Sequence, residues 1–253
     1  MVPTAQGHRR STNGTRSVLS LLAALVVALS GACSDPRTTL GAWRVPVAED
    51  PQAHVLAGAL HGRRGALLTV RNAASRVDVR LVDLPGLLYR ISTPAGSGLA
   101  PAVTGADRRV VLGLRPTGAD GPDTVTVLLN RSVRWTIMLP AGAGEQHLDL
   151  AAGRLERLEI GSGTGLVTMR LPPPRGTVPI IVAGAVGDVA VAIPPGTPLR
   201  LRLRGGADLV ATPWIGRSRA PAGALLAPAG WQEAVNRYAV NVASEIGSVT
   251  VRG

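Results

Sequence analysis

Between Gly161 and Gly176 the chain reads GSGTGLVTMRLPPPRG. Gly161, Gly163 and Gly165 crowd into five residues, the composition of a loop that could wrap backbone N–H groups around a phosphate. Such a loop needs a helix behind it, whose first amides face the anion. The next residues are instead LVTMRLPPP, β-branched, alternating and stopped by three prolines, so the glycines are expected at a corner between strands. The second candidate is RLRLRGG. Arg200, Arg202 and Arg204 alternate with Leu199, Leu201 and Leu203, which on a strand sets three guanidiniums on one face about 6.6–7 Å apart. That row suits anions such as phospholipid headgroups or cell-wall phosphates. It equally suits a solvated face that discourages edge pairing.

Other chemistry is sparse. After residue 33 the histidines are His54, His61 and His147, none at the i, i+4 spacing of a metalloprotease helix, and no C-x-x-C or G-x-S-x-G occurs. No catalytic residue, metal ligand set or cofactor is therefore expected. Asp78 with Asp83, or Glu156 with Glu159, would work as paired carboxylates only if the fold brought each pair together. A site assembled from distant loops, with His147 among acidic residues, would make the protein a cell-envelope hydrolase.

The only cysteine is Cys33. Residues 1–16 carry Arg9, Arg10 and Arg16 and no acid, and SVLSLLAALVVALSGAC comes directly after. A basic segment, a short apolar core and small residues are the parts of an export signal. The core, Val18 to Leu29, is shorter than the ~20 residues that span a bilayer. LSGAC resembles the lipobox of bacterial lipoproteins, with Ser30 where an aliphatic residue is usual and Leu29 one step earlier. The resemblance implies a diacylglyceryl group on Cys33, cleavage after Ala32, and a lipid-anchored protein on the extracytoplasmic face of the cell membrane. Residues 1–32 are thus expected to be the signal peptide. The Pro-, Asp- and Thr-rich segment 33–53 reads as a tether.

Removing residues 1–32 takes away three arginines and no acid, lowering the net charge from +11 to +8. All 27 basic residues are arginine, and phenylalanine is absent as well. Both missing types have A/T-rich codons, so a high-G+C genome explains the bias and the charge alone names no partner. An exported chain without stacking aromatics beside its arginines is not expected to bind nucleic acid.

From His54 onward the text is short apolar runs divided by Gly, Pro, Asp and Asn. In RVDVRL, Val77, Val79 and Leu81 alternate with Asp78 and Arg80, the period of a strand with one wet face. The expected class is all-β: a strand-rich part over 54–149 continuing into a β-solenoid of 20–22-residue coils over 150–253. The second part repeats. Leu158, Ile160, Val167, Met169 and Leu171 recur 22 residues on as Ile180, Val182, Val189, Val191 and Ile193. Sixty further, Val240, Val242, Val249 and Val251 repeat the pattern, with LRLRLRGGADLVA a degraded copy between. Strand, glycine corner, strand, proline corner is the grammar of a solenoid. An insertion at about 213–238 lacks strand period, and one or two helical turns are expected over Trp231 to Arg237. Its Trp214, Trp231 and Tyr238 read as a cap over an open end, with a ligand groove as the other use.

RLPPPRGTVPIIVAGAVGDVAVAIPPGTPLRLRLRGGADLV and NRYAVNVASEIGSVTVR resemble the repeats of envelope proteins from high-G+C Gram-positive bacteria. More distantly they are similar to the β-solenoid "putative adhesin" domain and to the C-terminal domain of cell-wall-active-antibiotic response proteins. The resemblance covers about residues 150–253 and implies fold and compartment. It leads to a non-catalytic, membrane-anchored envelope lipoprotein that binds, senses or scaffolds. Its expected partners are the membrane through Cys33 and an envelope protein or anionic polymer, the last through Arg200, Arg202 and Arg204.

Overall fold

The structure, a computed structural model, describes residues 53–161 and 163–253. The signal segment, Cys33 and nearly all of the tether lie outside them. Among the described residues every regular element is a strand. In chain order they are β1 (His54–Ala59), β2 (Gly65–Val70), β3 (Ala74–Val82), β4 (Leu87–Thr93), β5 (Leu99–Thr104), β6 (Arg109–Pro116) and β7 (Thr124–Asn130). The middle of the chain supplies β8 (Arg134–Leu139), β9 (Ala143–Asp149), β10 (Arg154–Ile160), β11 (Thr164–Arg170), β12 (Thr177–Val182) and β13 (Val186–Ala192). Last come β14 (Leu199–Leu203), β15 (Ala207–Thr212), β16 (Gly216–Ala220), β17 (Ala224–Leu226), β18 (Arg237–Val242) and β19 (Ile246–Arg252).

They form two sheets. Sheet A has the order β1-β4-β7-β3-β9-β11-β13-β19-β15-β16, and sheet B has β17-β14-β18-β12-β10-β8-β2-β6-β5. A strand of sheet B runs through a short corner into a strand of sheet A, and each such pair is one rung. The rungs stack in the order β6–β7, β2–β3, β8–β9, β10–β11, β12–β13, β18–β19, β14–β15, all parallel. This is a β-solenoid, and strands from both the 54–149 and 150–253 stretches build the same two sheets.

Alternation makes the core. Val110, Leu68, Ile137, Leu158, Ile180, Val240 and Leu201 stand in register down the middle of sheet B, each at most 3% exposed. Sheet A sets Val79, Leu148, Met169, Val191 and Val251 against them. The interval of 22 residues is the register itself: Leu158 pairs with Ile180 and Val167 with Val189. So is the interval of 60, since Ile180 pairs with Val240 and Val191 with Val251. Val189, Val191 and Ile193 are buried while Asp188, Ala190 and Ala192 face outward, as the period requires.

Stacking order departs from chain order at both ends. After β12–β13 the chain skips one position to lay down β14–β15, and β18–β19 then fills the space left between them. At the other end β6–β7 fills the space between β2–β3 and the strands β4 and β5. LRLRLRGGADLVA therefore lies beside the last copy and not beside β12–β13. Every sheet end is closed by an antiparallel strand: β1 on β4 and β16 on β15 in sheet A, β5 on β6 and β17 on β14 in sheet B. Such strands replace the bare edges of a parallel stack, which would otherwise template further pairing. The 213–238 segment contributes β16 and β17 to this closure. Residues 231–233 form a hydrogen-bonded turn and not the expected helix, because Arg237 is already in the next strand.

Gly144, Gly165, Gly187 and Gly247 form a column just inside the corner. A Cβ on any of them would come within 2.5–2.8 Å of the carbonyl oxygen of the preceding rung. No side chain fits at that approach, so Gly165, and Gly161 against the Pro140 carbonyl, let successive corners nest, while Gly163 takes the left-handed turn between them at φ 77°.

Candidate functional site: two unlike sheet faces

The outward face of sheet A is polar, and its middle strands are internally paired. Register places Asp78 beside His147 and His147 beside Thr168. His147 Nδ1 lies 2.7 Å from Thr168 Oγ1 and its Nε2 lies 2.8 Å from Glu145 Oε2. Arg76 forks onto Asp78 at 3.0 Å and reaches Glu145 at 3.6 Å. The hydrogen bond from His147, with the nearby positive charge of Arg76, holds the Glu145 carboxyl below the usual range. The Asp78 hydrogen bond in turn raises Arg76.

Carboxylate, imidazole and hydroxyl in line is the order of an activated nucleophile. Acyl transfer also needs donors aimed at a developing oxyanion. Here β9 and β11 are interior strands with neighbours on both sides, so their backbone N–H groups are spent on the ladder. The relay lies on an open sheet face with Glu145 and His147 half-exposed. What the arrangement does chemically is to bind these strands' outer faces together.

Sheet B is different. Its strands carry Arg109, Arg115, Arg134, Arg154, Arg157, Arg200, Arg202 and Arg237 against two acids, Glu156 and Glu159. Among the described residues only Arg157 forms an ion pair on this face, with Glu159 at 3.0 Å. Arg134 and Arg154 are register partners, like charges side by side. Both line a cleft of about 350 Å³ together with Gly153, Leu155, Glu156, Pro173, Arg175 and Thr177. A bulge between Leu155 and Arg157 turns Glu156 out of the ladder at this point.

The predicted arginine row is split by its surroundings. Arg202 and Arg204 are exposed, whereas Arg200 is half-buried and its guanidinium lies 4.0 Å from the centre of the Trp231 ring. Arg237 lies over the same ring at 4.2 Å and donates to the Trp231 carbonyl at 2.8 Å and to Thr177 Oγ1 at 2.9 Å. Trp231 Nε1 donates to the Tyr238 carbonyl at 3.0 Å, and the Tyr238 hydroxyl donates to the Pro172 carbonyl. Burial pushes that phenol far above its ordinary value. Trp214 is partly buried against the core. Trp231 and Tyr238 thus pack at and beside β18, an interior strand, and not over an open end of the stack.

The paired carboxylates do not meet. Asp78 is held by Arg76, Asp83 by Arg131 at 3.3 Å, and Glu159 by Arg157. His54 lies on β1 and His61 in the following turn at φ 46°, both apart from the His147 relay on β9. Among the described residues no cluster of three or more His, Cys, Asp or Glu could hold a metal. Sequence reasoning missed the Glu145–His147–Thr168 line and the Arg134–Arg154 pair. The first was visible as i, i+2 on one strand plus the 21-residue step to Thr168.

No protein-family model and no curated protein matches the chain. The fold is similar to the crystal structure of a "putative cell adhesion protein" from Clostridium sporogenes, with TM-score 0.58 and 16% identity over 79% of this chain and 97% of that one.

Proposed function

We propose that this protein is a non-catalytic envelope lipoprotein, anchored through Cys33 on the outer face of the membrane, which presents its solenoid as a binding or adhesive surface. The observation that carries the reading is the arginine-rich face of sheet B, with arginines on β6, β8, β10, β14 and β18 and a single ion pair among its described residues. Arg109, Arg115, Arg134, Arg154 and Arg202 have no internal partner among the described residues, and cations left so are placed to meet an external anion. The name of the structurally similar clostridial protein points the same way.

The experiment is fractionation with wild-type and C33A protein, followed by binding of the purified chain to isolated envelopes. The wild type is expected in membranes with fatty acid on its N-terminus, because two acyl chains at about 0.8 kcal/mol per buried CH₂ hold firmly. C33A is expected as soluble or unprocessed protein that still binds envelopes. A soluble, unacylated wild type would end the lipoprotein reading, and failure to bind envelopes would end the adhesive one.

A second reading, an envelope hydrolase, is favoured by the Glu145–His147–Thr168 line. Its test is covalent labelling of Thr168 by a fluorophosphonate probe, with T168A as control.

A further inference from the structure

We propose that the cleft between β8, β10 and the turn before β12 binds the tetrahedral phosphoryl groups of an extended anionic polymer. This rests on the binding reading above and places its ligand site away from Arg200, Arg202 and Arg204.

Arg134 and Arg154 sit directly across from each other on adjacent parallel strands, about 4.8 Å apart at the backbone. Like charges so placed repel and destabilise the sheet. Arg175 adds a third guanidinium from the turn that closes the same cleft. All three are exposed, and none makes an ion pair or side-chain hydrogen bond among the described residues. The only acid in the cleft is Glu156 on the bulge, one carboxylate against three cations, and it forms no ion pair among the described residues. A bound anion would relieve the repulsion that the fold leaves standing.

Geometry selects the anion. Three guanidinium forks approach from three separate elements, which suits a tetrahedral group whose oxygens point in different directions more than a planar carboxylate. Extent selects a polymer. Arg109 on β6 and Arg154 on β10 lie on the same sheet face, three strand spacings or about 14 Å apart across the sheet. A linear chain lying across the stack would meet them in turn, whereas a single phosphate would use the cleft alone.

The test uses the mature chain and fluorescent inorganic polyphosphate as probe, with inorganic phosphate and phosphatidylglycerol vesicles as separate arms. R134Q/R154Q/R175Q is expected to weaken polyphosphate binding about tenfold or more, since charge-assisted contacts are lost. The loss should shrink as salt rises. E156Q is expected to tighten binding, the opposite sign from a change of equal size in the same cleft. R202Q/R204Q is the control and should move affinity less than about twofold, because those side chains lie outside the cleft. Equal thermal melts of all variants keep folding out of the comparison.

Wild-type binding with no effect of either cleft variant would overturn the site while leaving the adhesive reading intact. So would an equal loss in R202Q/R204Q. Preference for vesicles over polyphosphate, lost in the triple variant, would assign the cleft to a lipid headgroup and overturn the polymer. Saturation by inorganic phosphate alone would do the same.

Discussion

Gln146 donates its side-chain amide to the hydroxyl of Thr164, 3.1 Å away, from inside a column that is otherwise valine. Val125, Val77, Val167, Val189, Val249 and Val210 complete that column in register. Gln146 is 1% exposed and Thr164 3%, and the Gln146 carbonyl oxygen has no hydrogen-bond partner. A buried polar pair in a repeating stack distinguishes one rung from the next, a task that identical valines cannot perform. It does so at the expense of stability.

Replacing both partners, Q146V/T164V, is therefore expected to leave stability unchanged or raise it by up to about 1–3 kcal/mol, the penalty of one unsatisfied buried group. T164V alone removes the shorter of the two bonds donated by the Gln146 amide, leaving the one to the Ala141 carbonyl at 3.5 Å, and should destabilise. Denaturant midpoints of the two singles and the double measure the coupling. A double variant less stable than either single would refute the assignment.

The glycine column gives a sharper expectation. In G187A the new Cβ would lie 2.5 Å from the Gly165 carbonyl oxygen, a backbone atom with no room to retreat. Forced overpacking of this kind costs about 1–3 kcal/mol. Gly176 is the contrast: its φ is 75° and open space surrounds it, so G176A meets only the left-handed backbone penalty, about 1–2 kcal/mol. If G187A proved as stable as wild type, the corners would not nest as described.

Much of the fold was legible in the chain because a parallel in-register stack writes its geometry as an interval. The spacing of 22 residues from Leu158 to Ile180 and of 60 from Ile180 to Val240 are both true neighbour relations. Stacking order was less legible. Leu201 and Val240 present the same apolar step to either side, so the pattern does not say which rung lies outside. In the first half, β4 and β5 intervene between β2–β3 and β6–β7, and the interval is lost. The candidate site obeyed the same logic. Alternation placed Arg200, Arg202 and Arg204 on one face, but the ring beneath Arg200 belongs to Trp231, which the register brings from a turn. The Arg134–Arg154 pair depends on a bulge that no period records.

The last rung fills a space between rungs laid down earlier in the chain, so its residues are interior despite their position near the C-terminus. V240D buries a charge without a counter-ion and should cost about 3–5 kcal/mol. V235D, at a site 79% exposed, should change stability by less than about 0.5 kcal/mol. Thermal melts of the pair compare them directly. Tolerance of V240D would mean that β18 is not the central strand of that end.

Acid should loosen sheet A through Glu145. Its folded pKa is lowered by the His147 hydrogen bond and by Arg76, so its contribution is fully present above the unfolded value of about 4.3 and is lost as pH falls through the lower folded value. E145Q should remove that part of the pH dependence and lower stability at neutral pH toward that of the acidified wild type. A wild-type and E145Q pair with identical profiles below pH 5 would contradict the ion-paired relay.

Neighbouring members of the arginine row should answer differently to the same substitution. Arg200 and Arg237 both lie over the Trp231 ring, and a partly desolvated cation over indole is worth about 0.5–2 kcal/mol. R200Q is expected to destabilise within that range, and R202Q, solvent-exposed, to stay within about 0.5 kcal/mol. W231A removes the ring and the donor to the Tyr238 carbonyl together and should cost about 3–5 kcal/mol. In the W231A background R200Q should have little further effect, because the partner is gone. Additive losses from W231A and R200Q would show that Arg200 is held by something other than the ring, and would return it to the row of free cations with Arg202 and Arg204.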